Sequence, residues 1–582
     1  MSPLVPGRPR ERWRDVDRKP AGAWPWLRRL AIAVVAIYLA LFAWIGHRVG
    51  KAEQAWLAGK YDEAHGIISD AASWHVRAGR VHDALAVIDL ARGRLDEARG
   101  HLADAARGFF HPPAFGDRKV LDGFLRDGIY EPAQIYAGHR LALGADPAAA
   151  FYLGVAENGM NRLDEAQQHL ALAGADSEFK ARAEKQLAAI AEKRKTGRAP
   201  YLLDRGGAWL AATDLRSGRI VQSAPELAAL LEGPFGLQLE ARDRRNTVRL
   251  SLDMEIQRAA EAALGAQKGS LVVLDVATGG LLAAASQPAS APVAGGAAPR
   301  AFVSTYEPGS IVKMITLAAA LRNGIDVAAL FPMECPGWVS VDGVAFRDWM
   351  AHKRVESIEH AVAVSCNLAF GQLGLKVGRD GINAELRRFG FDFPSEASGA
   401  ARPGDIKFDV GALLPEDTSH PNYALGRRAV GLDSIQVTPI GAALMAAGLA
   451  RGGAPPPVHL VDQKLNILGE AYFNHETLDR DTETLTVEQR TLITRAMQAA
   501  VTGTGRAEGT ARRAAVAGLS LAMKTGTSGR NPPGYDALVI GFAPAEKPVI
   551  AWALIADRAG KAELEAARIT GDFLSRIRSR LD

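Results

Sequence analysis

The sequence is short of the residues that build cross-linked or metal-clustered folds. Its 582 residues include two cysteines, Cys335 and Cys366. Two cysteines exclude a disulfide framework, and neither Cys-x-x-Cys nor His-Glu-x-x-His zinc spacing occurs. One disulfide between them is compatible with an oxidising compartment. The thirteen histidines are scattered and read as surface or hydrogen-bonded core residues, so neither a metal nor a cofactor is expected. Charge of one sign is not in excess either. Lys and Arg number 69 against 65 Asp and Glu, a net charge of +4, which excludes the electrostatic footprint of a nucleic-acid-binding protein. What is present is an ordinary globular composition, 48% hydrophobic and 23% charged, over a length that demands more than one core and therefore about two to four domains.

Residues 1–29 are rich in Pro and Arg, with Arg8, Arg10, Arg12, Arg14, Arg18, Lys19, Arg28 and Arg29. Leu30 to Gly46 then carries no charge and spans roughly 25 Å as a helix, the short end of a membrane crossing. Trp24, Trp26 and Trp44 sit near its ends, where interfacial aromatics belong. The basic flank predicts a cytoplasmic tail (1–29) and a transmembrane helix (30–46), with everything after Gly50 outside the cytoplasm. An uncleaved single-pass anchor is favoured over a cleaved signal peptide, because no small-x-small site follows the apolar run.

Residues 51–192 read as helix and repeat. Gly59-Lys60-Tyr61-Asp62-Glu63-Ala64 recurs as Gly93-Arg94-Leu95-Asp96-Glu97-Ala98, as Gly128-Ile129-Tyr130-Glu131-Pro132-Ala133, and as Asn161-Arg162-Leu163-Asp164-Glu165-Ala166. The alanines fall 34, 35 and 33 residues apart. That period and signature resemble tetratricopeptide repeats, stacked helical pairs that present a concave surface. A protein or peptide partner and a simple spacer are equally open readings. Lys193 to Pro200 reads as an exit linker. Residues 201–250 read as a short β-rich connection, with a hairpin over Tyr201 to Ala211 and a strand at Val248 to Leu252. A helix from Asp253 to about Leu264 and a strand–turn–strand from Gly269 to Ser286 complete an α+β pattern.

Three motifs carry chemistry. In Tyr306-Glu307-Pro308-Gly309-Ser310-Ile311-Val312-Lys313 the turn places Ser310 at or near the start of an apolar helix, with Lys313 one turn further. Backbone N–H groups at a helix start favour negative charge, and an amine kept neutral by burial can take a hydroxyl proton. Ser-x-x-Lys alone is weak, since Ser177 to Lys180 also matches. The second motif, Ser365-Cys366-Asn367, is the only Ser-x-Asn in the chain. The third is Lys524-Thr525-Gly526-Thr527 ahead of strand-like residues. Gly526 leaves room for a substrate backbone to lie against it, and Lys524 is a cation for a carboxylate. Lys195-Thr196-Gly197 also matches and precedes Ser310, so it reads as chance.

In this order the motifs resemble the active-site serine penicillin-recognising superfamily. Glu255-Ile256-Gln257-Arg258-Ala259, Thr438-Pro439 and Gly503-Thr504-Gly505 resemble the same domains, over roughly residues 201–560. The resemblance implies a penicillin-binding transpeptidase domain at 251–582, an antiparallel sheet flanked by helices, preceded by the all-α repeats and the transmembrane helix. It is closer to monofunctional class B proteins, since no Glu-Asp glycosyltransferase motif precedes residue 200. It implies that Ser310 attacks the penultimate D-Ala carbonyl, Lys313 takes its proton and Ser365 relays a proton to the leaving amine. Asn367 then holds a substrate amide, and Lys524, Thr525, Gly526 and Thr527 receive the terminal carboxylate and backbone. The backbone N–H groups of Ser310 and Thr527 form the oxyanion hole. Peptidoglycan stem peptides and β-lactams are the implied partners, with the membrane through the N-terminal helix. Val430-Gly431-Leu432-Asp433-Ser434 departs from the family's usual Gly-Gln-Gly type turn, and Ala397 to His420 is long and irregular. The rival readings are a D,D-carboxypeptidase, a class D-like β-lactamase or antibiotic sensor, which usually lacks the equivalent of Asn367, and a non-catalytic repeat scaffold.

Overall fold

The computed structural model describes residues 24–73, 78–108, 113–144, 146–232, 235–240, 243–294, 296–392, 405–453, 455–476, 485–505, 507–530 and 534–581. The basic residues Arg8 to Lys19 and the 397–404 part of the irregular stretch lie outside the described residues. The chain divides into two compact units. One is Met1–Leu125, Ile129–Glu157 and Asp164–Glu184, and the other is Arg126–Gly128, Asn158–Leu163 and Lys185–Asp582.

The first unit is helical. Its opening helix runs Trp24–Leu57 and is the one helix among the described residues long and apolar enough to cross a membrane. Leu30 to Leu39 are exposed, as an apolar surface meant for lipid would be. The helix continues beyond Gly46, the end of the uncharged span, to Leu57. Its last turns bury Ile45, Val49, Ala52 and Trp56, a helical-period stripe that packs with the helices following it. The helices that follow are Tyr61–Ser73 and Gly79–Ala91, which pack on it, and then Leu95–Arg107, Asp117–Arg126, Tyr130–Leu143, Pro147–Gly159, Leu163–Ala173 and Lys180–Thr196, the last belonging to this unit only as far as Glu184. Alternate connections share one geometry. Gly59, Gly93 and Gly128 adopt φ of +72°, +73° and +68°, and Asn161 adopts +60°. A six-to-one backbone bond closes the first three, Lys60 N to Ala55 O at 2.9 Å, Arg94 N to Asp89 O at 2.8 Å and Ile129 N to Phe124 O at 2.8 Å. This is the helix stop that glycine, and less readily asparagine, permits. The alanines that follow, Ala64, Ala98, Ala133 and Ala166, are fully buried, so the second helix of each pair approaches its neighbour closely.

The second unit is built on a five-stranded antiparallel sheet. Its strands are β1 (Gly269–Asp275), β2 (Leu281–Gln287), β3 (Ala522–Arg530), β4 (Gly534–Ala543) and β5 (Ile550–Ala556), in spatial order β3-β4-β5-β1-β2. β1 and β5 are buried along their whole length, and their continuous apolar sequences follow from that double cover. The helix Pro439–Ala450, all of whose residues are buried, packs on β5, β1 and β4. The helices Met254–Leu264 and Glu565–Arg576 pack on each other and on the sheet. The first of these starts where expected, because the Asp253 carboxylate accepts the Glu255 and Ile256 N–H groups. The antiparallel sheet flanked by helices is the expected arrangement, and β3 with Lys524-Thr525-Gly526-Thr527 is an edge strand of it.

A second sheet orders Ala471–Asn474, Val461–Leu465, Thr247–Leu250, Arg198–Leu203, Trp209–Asp214 and Ile220–Gln222. The expected 201–211 hairpin is its Arg198–Leu203 and Trp209–Asp214 pair. Two of its strands come from more than two hundred residues downstream, which no local pattern announces. Lys193 to Pro200 is not a linker. The helix runs to Thr196, Gly197 turns at φ +67°, and the strand begins at Arg198. A left-handed glycine stops a helix in one residue, so no longer connection is required.

Candidate active site

Pro308 and Gly309 form the expected turn. Gly309–Val312 make one 3-10 turn, which runs directly into the buried helix Lys313–Arg322. Ser310 therefore sits at the helix start and Lys313 beneath it. Three glycines let this turn lie backbone to backbone against its neighbours. Gly309 has φ +56°, and a Cβ there would meet Thr527 O at 2.8 Å. A Cβ on Gly526 would meet Pro308 O at 2.8 Å, and one on Gly431 would overlap Gly309 O at 2.0 Å. Gly309 N also donates to Gly431 O at 2.8 Å. The 430–434 segment, which departs from the family pattern, is thus the floor of the nucleophile turn. Upstream, Tyr306 exchanges backbone hydrogen bonds with Val437 at 2.9 and 2.8 Å. The Tyr306 hydroxyl donates to Asp557 Oδ1 at 2.8 Å and accepts from Arg300, which pairs with Asp557.

The second motif joins two helices, Ile358–Ala363 and Asn367–Arg388. Ser365 adopts φ +55°, an uncommon conformation for a residue with a Cβ. That single residue turns the chain so that Ser365 and Asn367 face the same amine. Lys313 Nζ donates to Ser365 O at 2.6 Å, Ser365 Oγ at 3.2 Å and Asn367 Oδ1 at 2.7 Å. From β3, Lys524 Nζ donates to the same Ser365 Oγ at 2.9 Å and to Thr525 O at 2.7 Å. Thr525 Oγ1 donates to Thr510 Oγ1 at 2.8 Å, and Thr527 Oγ1 accepts the Ala562 N–H at 3.2 Å.

Both lysines are fully buried. Burial pushes the Lys313 amine down to about 8. Lys524 is driven well below its ordinary range by burial and then by the Lys313 charge. Two ammonium groups sharing one hydroxyl in a dry site repel, so a neutral amine is available at the Ser365 hydroxyl at moderate pH. Ser310, Ser365, Asn367, Thr525 and Thr527 line one cleft of about 320 Å³, with Lys313 and Lys524 buried behind Ser365. Trp349, Val430, Leu432, Thr510, Tyr535, Lys561 and Glu563 complete the lining. Sequence reasoning missed Trp349, Thr510, Tyr535, Lys561 and Glu563. The first lies in an unremarked loop, and the others follow motifs at distances no spacing rule encodes. The second Ser-x-x-Lys and Lys-Thr-Gly matches are elsewhere, and Ser177, Lys180 and Lys195 are exposed.

Chemically this is a serine at a helix start beside a buried, readily neutral amine, with a second hydroxyl between two amines and an open strand edge alongside. The family described as Penicillin binding protein transpeptidase domain matches residues 269–575. The peptidoglycan D,D-transpeptidase PbpA of Mycobacterium tuberculosis H37Rv is 29% identical over 355 residues, 54% of this chain and 68% of that protein. Stage V sporulation protein D of Bacillus subtilis is 28% identical over 252 residues, 42% of this chain and 37% of that one. The structure of penicillin-binding protein A from M. tuberculosis as a ceftriaxone acyl-enzyme complex aligns with a TM-score of 0.56 at 23% identity, covering 65% of this chain and 98% of that one, and shows the likeness of fold.

Proposed function

This chain belongs to the penicillin-binding protein transpeptidase domain family, and on that premise we propose that it is a peptidoglycan D,D-transpeptidase working through an acyl-enzyme on Ser310. The observation that carries the reading is the Ser365 hydroxyl held between Lys313 Nζ at 3.2 Å and Lys524 Nζ at 2.9 Å. Ser310 Oγ attacks the penultimate D-Ala carbonyl while neutral Lys313 takes its proton. The oxyanion is met by the backbone N–H groups of Ser310 and Thr527, a pairing supported by the close packing of Gly309 on Thr527. As the C–N bond breaks, the proton passes from Lys313 through Ser365 to the leaving D-Ala amine. The amine of a second stem peptide then attacks the ester, gives up its proton along the same path and releases Ser310. Asn367 holds a substrate amide. The hydroxyls of Thr525 and Thr527 meet the terminal carboxylate, with the buried Lys524 behind them rather than in contact. The substrate backbone adds to the free edge of β3 beside Gly526. β-Lactams acylate Ser310 as mimics of the same amide.

Residues 30–46 anchor the chain in the bacterial plasma membrane as a single-pass helix, with the rest after Gly50 outside the cytoplasm. Residues 51–192 are tetratricopeptide-like repeats, a reading supported by the shared turn geometry at Gly59, Gly93, Gly128 and Asn161. They offer a surface for a protein or peptide partner. Residues 201–250 act with 251–582, because strands 461–474 complete their sheet.

The test is labelling of the full-length chain in detergent with a fluorescent penicillin. Stable covalent label on the parent and none on Ser310→Ala is expected. An unlabelled parent refutes the enzyme reading, and rapid loss of label identifies a β-lactamase instead.

A further inference from the structure

Beneath the Ser365–Asn367 turn lies a cluster the acyl-transfer chemistry does not use. Cys335 ends the strand Met333–Cys335. Asp348 follows the hairpin of Trp338–Val341 and Val344–Arg347, and His352 immediately precedes the strand Lys353–Val355, which pairs with Met333–Cys335. Cys366 stands between Ser365 and Asn367. Ligating atoms of all four lie within 4.8 Å of one another. Both cysteines are free and fully buried, and the Asp348 and His352 side chains are 0% and 4% exposed.

Three of the separations are close to the edges of a tetrahedral site. The two Sγ atoms are 3.7 Å apart. Cys335 Sγ is 3.5 Å from Asp348 Oδ2, and His352 Nε2 is 3.5 Å from Asp348 Oδ1. Zinc–sulfur bonds of about 2.3 Å and zinc–oxygen bonds of about 2.0 Å in a tetrahedron give edges of about 3.8 Å between sulfurs and about 3.5 Å between sulfur and oxygen. A disulfide would instead bring the sulfurs to about 2.0 Å. Thiol hydrogen bonds could explain the cysteines, but they leave His352 Nε2, which is buried, faces the Asp348 carboxylate at 3.5 Å and makes no well-aligned hydrogen bond. A buried imidazole nitrogen held only by a long contact to a carboxylate is poorly satisfied, and a metal shared by the two would satisfy both.

We propose that Cys335, Asp348, His352 and Cys366 bind one divalent ion of the zinc type, the cysteines as thiolates whose two protons pass to solvent. Thiolate and imidazole ligands select zinc over calcium or magnesium. The Cys366 sulfur already accepts the Ala369 N–H at 3.4 Å. The ion would also hold the second catalytic motif in place. Asp348 Oδ2 accepts the N–H groups of Asn367 at 2.8 Å and Leu368 at 3.2 Å, and Cys366 flanks the left-handed Ser365. Only this positioning role rests on the acyl-transfer reading.

The experiment uses the full-length chain in detergent, purified without chelator. After equilibration with zinc chloride and desalting, about one zinc per chain is expected by mass spectrometry, with retention lost in Cys335→Ser and in His352→Ala. Because either variant could misfold, the unmutated chain is also loaded with cobalt(II). Sulfur-to-cobalt charge-transfer absorption and the visible bands of a tetrahedral site, both displaced by zinc, are expected. A chain that retains no zinc and shows no such absorption overturns the site, whether its two thiols titrate free or are recovered as a disulfide. Ser310→Ala retains zinc while losing penicillin label, which separates the two readings. Stripping the metal slows acylation by about ten- to a hundredfold, the scale of a small misplacement of reacting groups, and zinc restores it. An unchanged rate overturns the positioning role.

Discussion

At the scale of single residues, Lys313 sets the pH behaviour. Only its neutral form can accept the Ser310 proton, and burial brings its amine down to about 8. The deprotonated fraction therefore rises with pH through about 8, and so should the second-order rate of acylation by penicillin, levelling above it. A stopped-flow profile that is flat across that region would refute Lys313 as the base. Lys313→Ala should lower acylation by about 10² to 10⁴. Gly309→Ala tests the packing of the turn. It forces a side chain into φ +56° and against Thr527 O at 2.8 Å, so we expect at least about 1–2 kcal/mol of destabilisation, read as a lowered thermal midpoint, together with slower labelling. Ser310, Lys313, Ser365, Asn367 and Lys524 were legible because short motifs preserve them. Trp349 and Glu563 were not, because they reach the cleft only through the path of the loops that carry them.

At the scale of elements, the helical pairs are governed by their turns. A Cβ on Gly93 would meet nothing within 4 Å, so Gly93→Ala carries only the cost of a left-handed backbone, about 1–2 kcal/mol. Gly93→Asn should cost less, since Asn161 adopts φ +60° at the equivalent turn. Hydrogen exchange of the full chain reads this directly. Amides of Gly79–Ala91 and Leu95–Arg107 should lose more protection in the alanine variant than in the asparagine variant, and the reverse order would refute the argument. The 34-residue spacing made these pairs visible in sequence. The six-stranded sheet was half visible, because Val461–Leu465 and Ala471–Asn474 join it by long-range pairing that leaves no local trace.

At the scale of the molecule, the opening helix serves two environments. Its first part is apolar and exposed, and its last turns are part of a protein core. A chain beginning at Trp44 should leave the membrane fraction and keep its helical unit. One beginning at Lys51 also loses Ile45 and Val49, buried to 7% and 0% exposure, at roughly 1.5–3 kcal/mol for each such side chain, and should show a lower unfolding temperature for the helices by circular dichroism. If the Trp44 chain still sediments with membranes after an alkaline wash, the anchor reading fails.

The sequence by itself determined the parts whose physics is local. These are the apolar span, the helix-turn period, the serine at a helix start, and the order of three motifs that only one kind of acyl-transfer site requires. Tertiary structure decided what depends on residues far apart in the chain. It buried both lysines and so set their basicity, made Lys-Thr-Gly an open sheet edge, and brought Cys335, Asp348, His352 and Cys366 together through strand pairing. Burial and proximity are properties of the folded chain, and no spacing rule along 582 residues encodes them.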